Sequence, residues 1–434
     1  MHLPDRTNIQ QAVASQRDWA VHTLDRWVRL GSVLGCEEPA QEYIAGVYEE
    51  LGLEARLVPV DADRIRGLPG YSPVDWSYEG RPNAVGIHDP GRNQGRTVVF
   101  NGHVDVVSPE PSELWTSPPF EPRIAEAEQD GESWMYGRGA ADMKGGSVCS
   151  LWALAALREL GLEPASQVIC QSAIEEECTG NGTLALLADG YTGDGCIIPE
   201  PFGETCLQNQ VGTMWFEVRV LGRTTHVQGT QQGVNAIEKS WLVIQALRDL
   251  EDALNRPERI PEPYAGIEHP INLNVGIIRG GDRASTVAGE CVARFRLGVL
   301  PGRPLAEARE EIETSVAAAA EADPWLREFR PEVRYIGFQA EGCSFDVASD
   351  LGIALRGAHR AWRGSEPDAL AAKATTDIRY FNLYYGTPAT CYGPKSEDIH
   401  GVDEKVSLDS MARVTEVLVS FIGEWCGVGK RRRL

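Results

Sequence analysis

Positive charge is scarce in this chain of 434 residues: 41 Lys plus Arg stand against 63 Asp plus Glu, for a net charge of −22. A polymer this acidic repels phosphate backbones and anionic membrane surfaces, which argues against nucleic acid as a partner and favours cations. The one basic cluster, Lys430, Arg431, Arg432 and Arg433 before Leu434, reads as a solvated end. No run of eighteen apolar residues occurs, so no membrane span is expected, and the start MHLPDRTNIQQ has no apolar signal core. CxxC spacing is also missing. The ten cysteines are scattered at positions 36, 149, 170, 178, 196, 206, 291, 343, 391 and 426, which reads as reduced cytoplasmic thiols and not as a disulfide framework. Internal repeats and low-complexity tracts are absent as well.

What remains is ordinary globular composition, 42% hydrophobic, 24% charged and 8% aromatic. At about 150 residues per domain, the length predicts two or three domains, or one large α/β domain with an insertion.

The hydrophobic pattern divides the chain. Residues 9–53 read as helices with an apolar stripe, broken near Gly31 and Gly35, and 53–60 alternates like a strand. Residues 61–82 are rich in Pro, Gly and Asp and predict a long loop of the kind that is often functional. From 96 onward strands and helices alternate: strand 96–103, helix 145–161, strand 167–174, helix 183–190, strand 195–201. Continuous apolar strands separated by helices predict a mostly parallel sheet covered by helices. Near 210 the pattern changes to half-exposed alternation in 214–222, 271–281, 289–299 and 331–337, with helices at 234–254 and 305–322. This order predicts an inserted α+β unit with one open sheet face. The first pattern then resumes, with a strand near 387–393 and a helix at 407–425. The expected organisation is an α/β domain formed by 1–209 plus 339–434, interrupted by a second domain at 210–338.

Acidic and histidine residues follow the predicted strand ends or occupy Gly-rich turns. His103 and Asp105 lie in FNGHVDVV, Asp142 in YGRGAADMKGG, Glu175, Glu176 and Glu177 after strand 167–174, Glu200 after strand 195–199, and His400 in GPKSEDIHGVDE. In open α/β sheets ligands gather at the carboxyl ends of strands, so these distant side chains can converge. Two imidazoles and several carboxylates suit Zn or Mn. Two divalent ions bring four positive charges against Asp142, Glu177 and Glu200, and one bridging hydroxide balances the remainder. Without metal the carboxylates would repel one another. Asp105, two residues after His103 on the same strand face, is placed to accept the free ring N–H of His103. GRGAADMKGG lacks the GK[ST] ending of a phosphate-binding loop.

Taken together, HVDVV, GRGAADMKGG, EEECTGNG, the PEP at 199–201 and GPKSEDIHGVDE resemble the two-metal aminoacylase and carboxypeptidase G family, which includes acetylornithine deacetylase and succinyl-diaminopimelate desuccinylase. The resemblance spans about 40–425. It implies an α/β metal-binding domain with an inserted lid and dimerisation domain, and two divalent metal ions, zinc first, with manganese or cobalt as alternatives. His103 and Glu200 would bind one ion, Glu177 and His400 the other, and Asp142 would bridge, with a cis peptide to Met143. Asp105 would orient His103 and Glu176 would be the general base and acid. The family usually shows Asp-Glu-Glu at the triplet. Aligning on Gly180-Asn181-Gly182 makes Glu176 the base and Glu177 the ligand; a shift of one residue would assign Glu175 and Glu176 instead. His226, in GRTTHVQG, matches a histidine that reaches the active site of a second subunit, which implies a homodimer or higher oligomer. Asn274 and Arg296 match polar positions that often hold a substrate carboxylate, and Arg379, in TTDIRYF, is another candidate.

The loop 61–82 and YEGRPN resemble the acetylornithine deacetylase-like deacylases, a subgroup that includes formylaminopyrimidine deformylases. The expected reaction is hydrolysis of a C–N bond in a small N-acyl amino acid or amine. Dipeptidase or carboxypeptidase activity, removal of an amine from an activated ring, and a non-catalytic binding role stand as alternatives.

Overall fold

The computed structural model describes residues 3–126 and 131–431. Residues 432–434 of the basic tail lie outside the described residues. The tail's beginning is held, because Val428–Lys430 pairs with Leu162–Pro164 and the Arg431 N–H donates to the Gly161 carbonyl.

A six-stranded sheet forms the larger body. Its order is Glu54–Val58, Asn83–His88, Val168–Ala173, Val98–His103, Cys196–Ile198 and Ala389–Cys391. The last four strands run parallel, while Glu54–Val58 and Asn83–His88 form an antiparallel pair at one edge. The sheet is therefore mixed, with its parallel part running from the antiparallel pair to the opposite edge. Val98–His103 and Val168–Ala173 are buried along their whole length; each opens on an apolar stretch, and the buried Asn101 and Gln171 side chains bond each other. The helices Gly146–Glu159, Asp350–Arg363 and Leu408–Trp425 pack around them in one apolar core, which draws on residues from Ile9 to Leu207 and again from Cys343 to Val428.

A second apolar core lies between Val211 and Leu326. Here a four-stranded antiparallel sheet runs in the order Leu273–Gly280, Glu290–Val299, Gly212–Leu221, Glu332–Ala340. Helices Ala236–Leu254 and Leu305–Ala322 cover one face. On Gly212–Leu221 the side chains of Phe216, Val218 and Val220 are buried while Arg219 between them is exposed, the alternation of a sheet with one open face.

Several elements are too short for hydrophobic periodicity to show. Arg123–Glu126, Ser133–Tyr136, Ser396–Glu397 and Lys405–Ser407 form a small antiparallel sheet of two- to four-residue strands. The expected loop 61–82 holds one helical turn, Ala62–Ile65, capped by the Asp61 carboxylate. No helix among the described residues is long and apolar enough to cross a membrane.

Candidate metal centre

Three neighbouring parallel strands end at one sheet edge. His103 is the last residue of Val98–His103 and lies opposite Ala173, the last residue of Val168–Ala173. The chain beyond Ala173 delivers Glu175, Glu176 and Glu177, and the chain beyond Cys196–Ile198 delivers Glu200. Asp142 comes from the turn ahead of helix Gly146–Glu159 and is joined to Met143 by a cis peptide. His400 comes from the turn after Ser396–Glu397.

These side chains meet. The His103 Nε2 lies 3.1 Å from one Asp142 oxygen, and the His400 Nε2 lies 3.3 Å from the other. His400 is also 2.9 Å from Glu177, and His103 is 3.8 Å from Glu200 and 3.9 Å from Glu176. Ligand atoms of His103, Asp142 and Glu177 lie within 4.8 Å of one another, as do those of His103, Glu176 and Glu200.

Asp105 differs from expectation in its contacts. The His103 Nδ1 is 2.9 Å from the main-chain carbonyl of Asp105 and 3.7 Å from its carboxylate. The two carboxylate oxygens instead accept the backbone N–H groups of Glu176 and Glu177, each at 3.1 Å. Asp105 therefore orients the imidazole through its backbone and the glutamate pair through its side chain.

Glu175 turns away from this cluster. It is fully buried with φ at 64°, and its carboxylate accepts from Trp76 Nε1, Tyr78 Oη, Arg81 Nη1 and Thr179 Oγ1. The loop 61–82 thus closes over Glu175 and leaves Glu176 and Glu177 as the triplet members facing the histidines. Gly180 ends the turn at φ 74°, where a Cβ would sit 2.4 Å from Arg379 Nη2.

Electrostatics show what the cluster lacks. Among the described residues, His103 is the one cationic group within 4.0 Å of Glu176 or Glu200. Burial, together with neighbouring carboxylates, pushes both carboxyls well above their usual range. The His400 imidazole is raised to about 11, chiefly by Glu177. Burial opposes the charged form of His103, yet Asp142, Glu176 and Asp105 raise it well above the usual imidazole value. Asp142 is held below the usual carboxylate range by its bonds to both imidazoles, which outweigh its burial. Fully ionised, these buried carboxylates would outnumber the two imidazoles, and the donor set of nitrogen and carboxylate oxygen fits divalent ions.

The remaining expected residues lie elsewhere. His226 is exposed on the inserted domain, and its Nδ1 accepts from the Gln228 N–H. Asn274 is exposed opposite Arg296 in the open sheet. Arg296 donates to the carbonyls of Asn272 and Lys373 and to Thr213 Oγ1, so it ties the inserted sheet to the larger body. Arg379 is fully buried under the glutamate turn, where it donates to the Thr179 carbonyl and to Tyr380 Oη.

The family described as peptidase family M20/M25/M40 matches residues 99–424, a span that contains every side chain of the centre. The chain belongs to this family. Over 418 aligned residues this M20 chain is 31% identical to the N-formyl-4-amino-5-aminomethyl-2-methylpyrimidine deformylase of Bacillus subtilis, with 91% of each chain covered. It is 28% identical to the succinyl-diaminopimelate desuccinylase of a Bradyrhizobium species, with 79% of this chain and 87% of the relative covered. The fold of the M20 chain matches that of the di-peptidase Dug1p from Saccharomyces cerevisiae at a TM-score of 0.79 and 14% identity, covering 97% and 98% of the two chains. The M20 chain is thus a hydrolytic enzyme with a divalent-metal type of donor set.

Two residues of the centre's frame were not singled out from the sequence. Asp377, fully buried near Arg379, and Glu404, fully buried behind Asp142, have no motif of their own. Glu404 closes GPKSEDIHGVDE, so its position in that motif was the available signal.

Proposed function

We propose that this enzyme hydrolyses the amide of a small N-acylated amine, with a formyl or similarly small acyl group as the first choice. The observation that carries this reading is the pair of imidazoles facing opposite oxygens of Asp142 at 3.1 and 3.3 Å. A carboxylate shared in this way fits a bridge between two ions. His103 and Glu200 would complete one site, and Glu177 and His400 the other, with zinc preferred and manganese or cobalt as substitutes. Such ions, when bound, supply Lewis acidity toward the acyl carbonyl and toward the attacking water.

The chain's own residues would do the rest. Glu176, 7% exposed and 3.9 Å from His103, would take the proton from the attacking water and return it to the leaving nitrogen. Asp105 would fix the approach of Glu176 through the backbone bond between them. His226 would come from a second copy of the chain to stabilise the oxyanion on the acyl carbon. Residues 210–338 would act as lid and dimerisation domain. Exposed Ile277 and Ile278 on the edge strand Leu273–Gly280, and Trp241 and Leu242 on helix Ala236–Leu254, offer an apolar surface for that second copy. A substrate carboxylate, where one is present, would lie against Asn274 and Arg296. Ten unpaired thiols favour the cytoplasm.

The test is a substrate panel with metal-reconstituted protein: N-formyl, N-acetyl and N-succinyl amines against dipeptides and aromatic amines. We expect kcat/KM for a small N-acyl amine to exceed that for any dipeptide by at least about tenfold, which corresponds to about 1.4 kcal/mol of transition-state stabilisation. Preferential dipeptide cleavage, or ammonia release from an aromatic amine, would overturn the assignment. For the second subunit, a His226→Ala chain mixed with a His103→Ala chain should recover part of the lost activity in hybrid dimers. No recovery in confirmed hybrids would rule out action in trans.

A further inference from the structure

Two turns more than 250 residues apart are bolted together behind the centre. Strands Ser133–Tyr136 and Lys405–Ser407 pair antiparallel with Tyr136 opposite Lys405, so the residues beside them, Gly137 and Glu404, lie side by side. The Gly137 N–H donates to the Glu404 main-chain carbonyl at 2.9 Å. The Glu404 side chain is fully buried. Its Oε1 accepts the N–H groups of Gly139 at 2.9 Å and of Ala141 and Asp142 at 3.1 Å, and its Oε2 accepts from Arg138 Nη1. The other end of the guanidinium, Nη2, donates to the carbonyls of His400 at 3.2 Å and Gly401 at 3.0 Å. One carboxylate thus fixes the backbone that presents Asp142, and the guanidinium bound to it fixes the backbone that presents His400.

The second of these turns needs such support. Asp398, His400 and Asp403 have φ of 57°, 61° and 58°. Residues other than glycine keep this left-handed conformation where their surroundings over-determine it. Asp403 is itself held, since its carboxylate accepts from the Thr116 N–H and Thr116 Oγ1.

We propose that Arg138 and Glu404 are positioning residues that set Asp142 and His400 at their mutual distance before any ion binds. The inference rests on the reading of Asp142 and His400 as ligands given above. Arg138 is the specific element, because its two terminal nitrogens reach both turns. A lysine keeps the charge opposite Glu404 but offers one ammonium in place of a two-ended fork.

Metal-free Arg138→Lys protein, titrated with Zn²⁺ against a chelating dye, should bind one ion per chain within about threefold of wild-type affinity and the other about 10–100-fold more weakly, the range for outer-shell partners of metal ligands. Glu404→Gln should weaken both ions, since Asp142 would serve both. Two ions bound with wild-type affinities by folded Arg138→Lys, with folding checked by far-ultraviolet circular dichroism, would overturn the role of the pair alone. A wild-type chain that binds no Zn²⁺ would overturn the underlying ligand reading. Should the variants not fold, hydrogen exchange on the wild type decides. The amides of Gly139, Ala141 and Asp142 should stay as protected after chelation as before it, and fast exchange after chelation would assign the positioning to the ions themselves.

Discussion

His103 and His400 approach one carboxylate from opposite sides, yet the chain builds them in different ways. His103 ends a central strand, is 2% exposed and lies opposite Ala173 on a strand whose earlier residues, Val99 and Phe100, are paired on both sides. His400 sits in a left-handed turn with 48% of its side chain exposed, and owes its position to contacts made by residues around it. One half of the centre is therefore as rigid as the sheet. The other half is as rigid as the Arg138–Glu404 link and the short strand pairing beside it. A site divided in this way has one half fixed by the sheet and the other half, on the turn, next to solvent.

The sharpest way to probe the sheet side is Glu176→Gln. Glutamine keeps the size of the side chain and the backbone N–H bond to Asp105, but it cannot carry the proton. Turnover should fall by about 10²–10⁴-fold while divalent metal content, measured by elemental analysis, stays at the wild-type level. Near-normal turnover would move the base elsewhere. Glu175 is a poor replacement, because Trp76, Tyr78, Arg81 and Thr179 already occupy its carboxylate.

The same division explains what could be read from the sequence. Strand ends were legible, because short apolar runs such as VVF and VIC mark buried strands, at or just beyond whose ends lie His103, Glu176 and Glu177. The inserted antiparallel sheet was legible as well, in half-exposed alternation over strands of eight to ten residues. The frame of the His400 half was not. Ser133–Tyr136 and Lys405–Ser407 are four and three residues long, too short for any period to show. The carboxylate of Asp105 was expected on His103 because same-face spacing on a strand is the only signal the sequence offers. Its bonds to Glu176 and Glu177 depend on a neighbouring strand whose register no local pattern reveals. Arg379 read as a candidate for substrate, whereas its burial beneath the Glu175–Gly180 turn is a tertiary fact.

Metal removal sharpens the comparison through pH. In the metal-free protein Glu176 and Glu200 hold protons above their usual range, and so do His103 and His400. All four are groups whose folded form binds protons more tightly than the unfolded chain does. Their contribution is present at low pH and is lost as pH rises, from the ordinary values of 4.5 and 6.5 upward through the raised ones, about 11 for His400. Asp142 has the opposite sign but acts below its ordinary value of 3.8, outside this window. Chelated protein should therefore lose stability between about pH 5 and 9, with a slope of about 1.4 kcal/mol per pH unit for each extra proton held by the folded state. Metal-loaded protein should show a shallower slope, since the ions take the place of those protons while buried Asp105 and Glu404, each raised to about 7, keep theirs. Denaturant midpoints measured across that range, with and without chelator, read the difference directly, and parallel curves would count against a cation site among these carboxylates.

A last comparison separates the two halves themselves. In chelated protein, His103→Ala removes the buried imidazole 3.1 Å from the ionised Asp142 carboxylate, and breaking a buried ion pair typically costs about 3–5 kcal/mol. His400→Ala removes an imidazole that is half in water, where an ion pair contributes about 0–1 kcal/mol. Urea unfolding at neutral pH should show a large midpoint shift for the first and a slight one for the second. Because the comparison is made without metal, it reads the scaffold and not the ligands. Equal shifts would mean that the His400 turn is as deeply built into the fold as the strand end, and the contrast between a rigid half and a braced half would have to be given up.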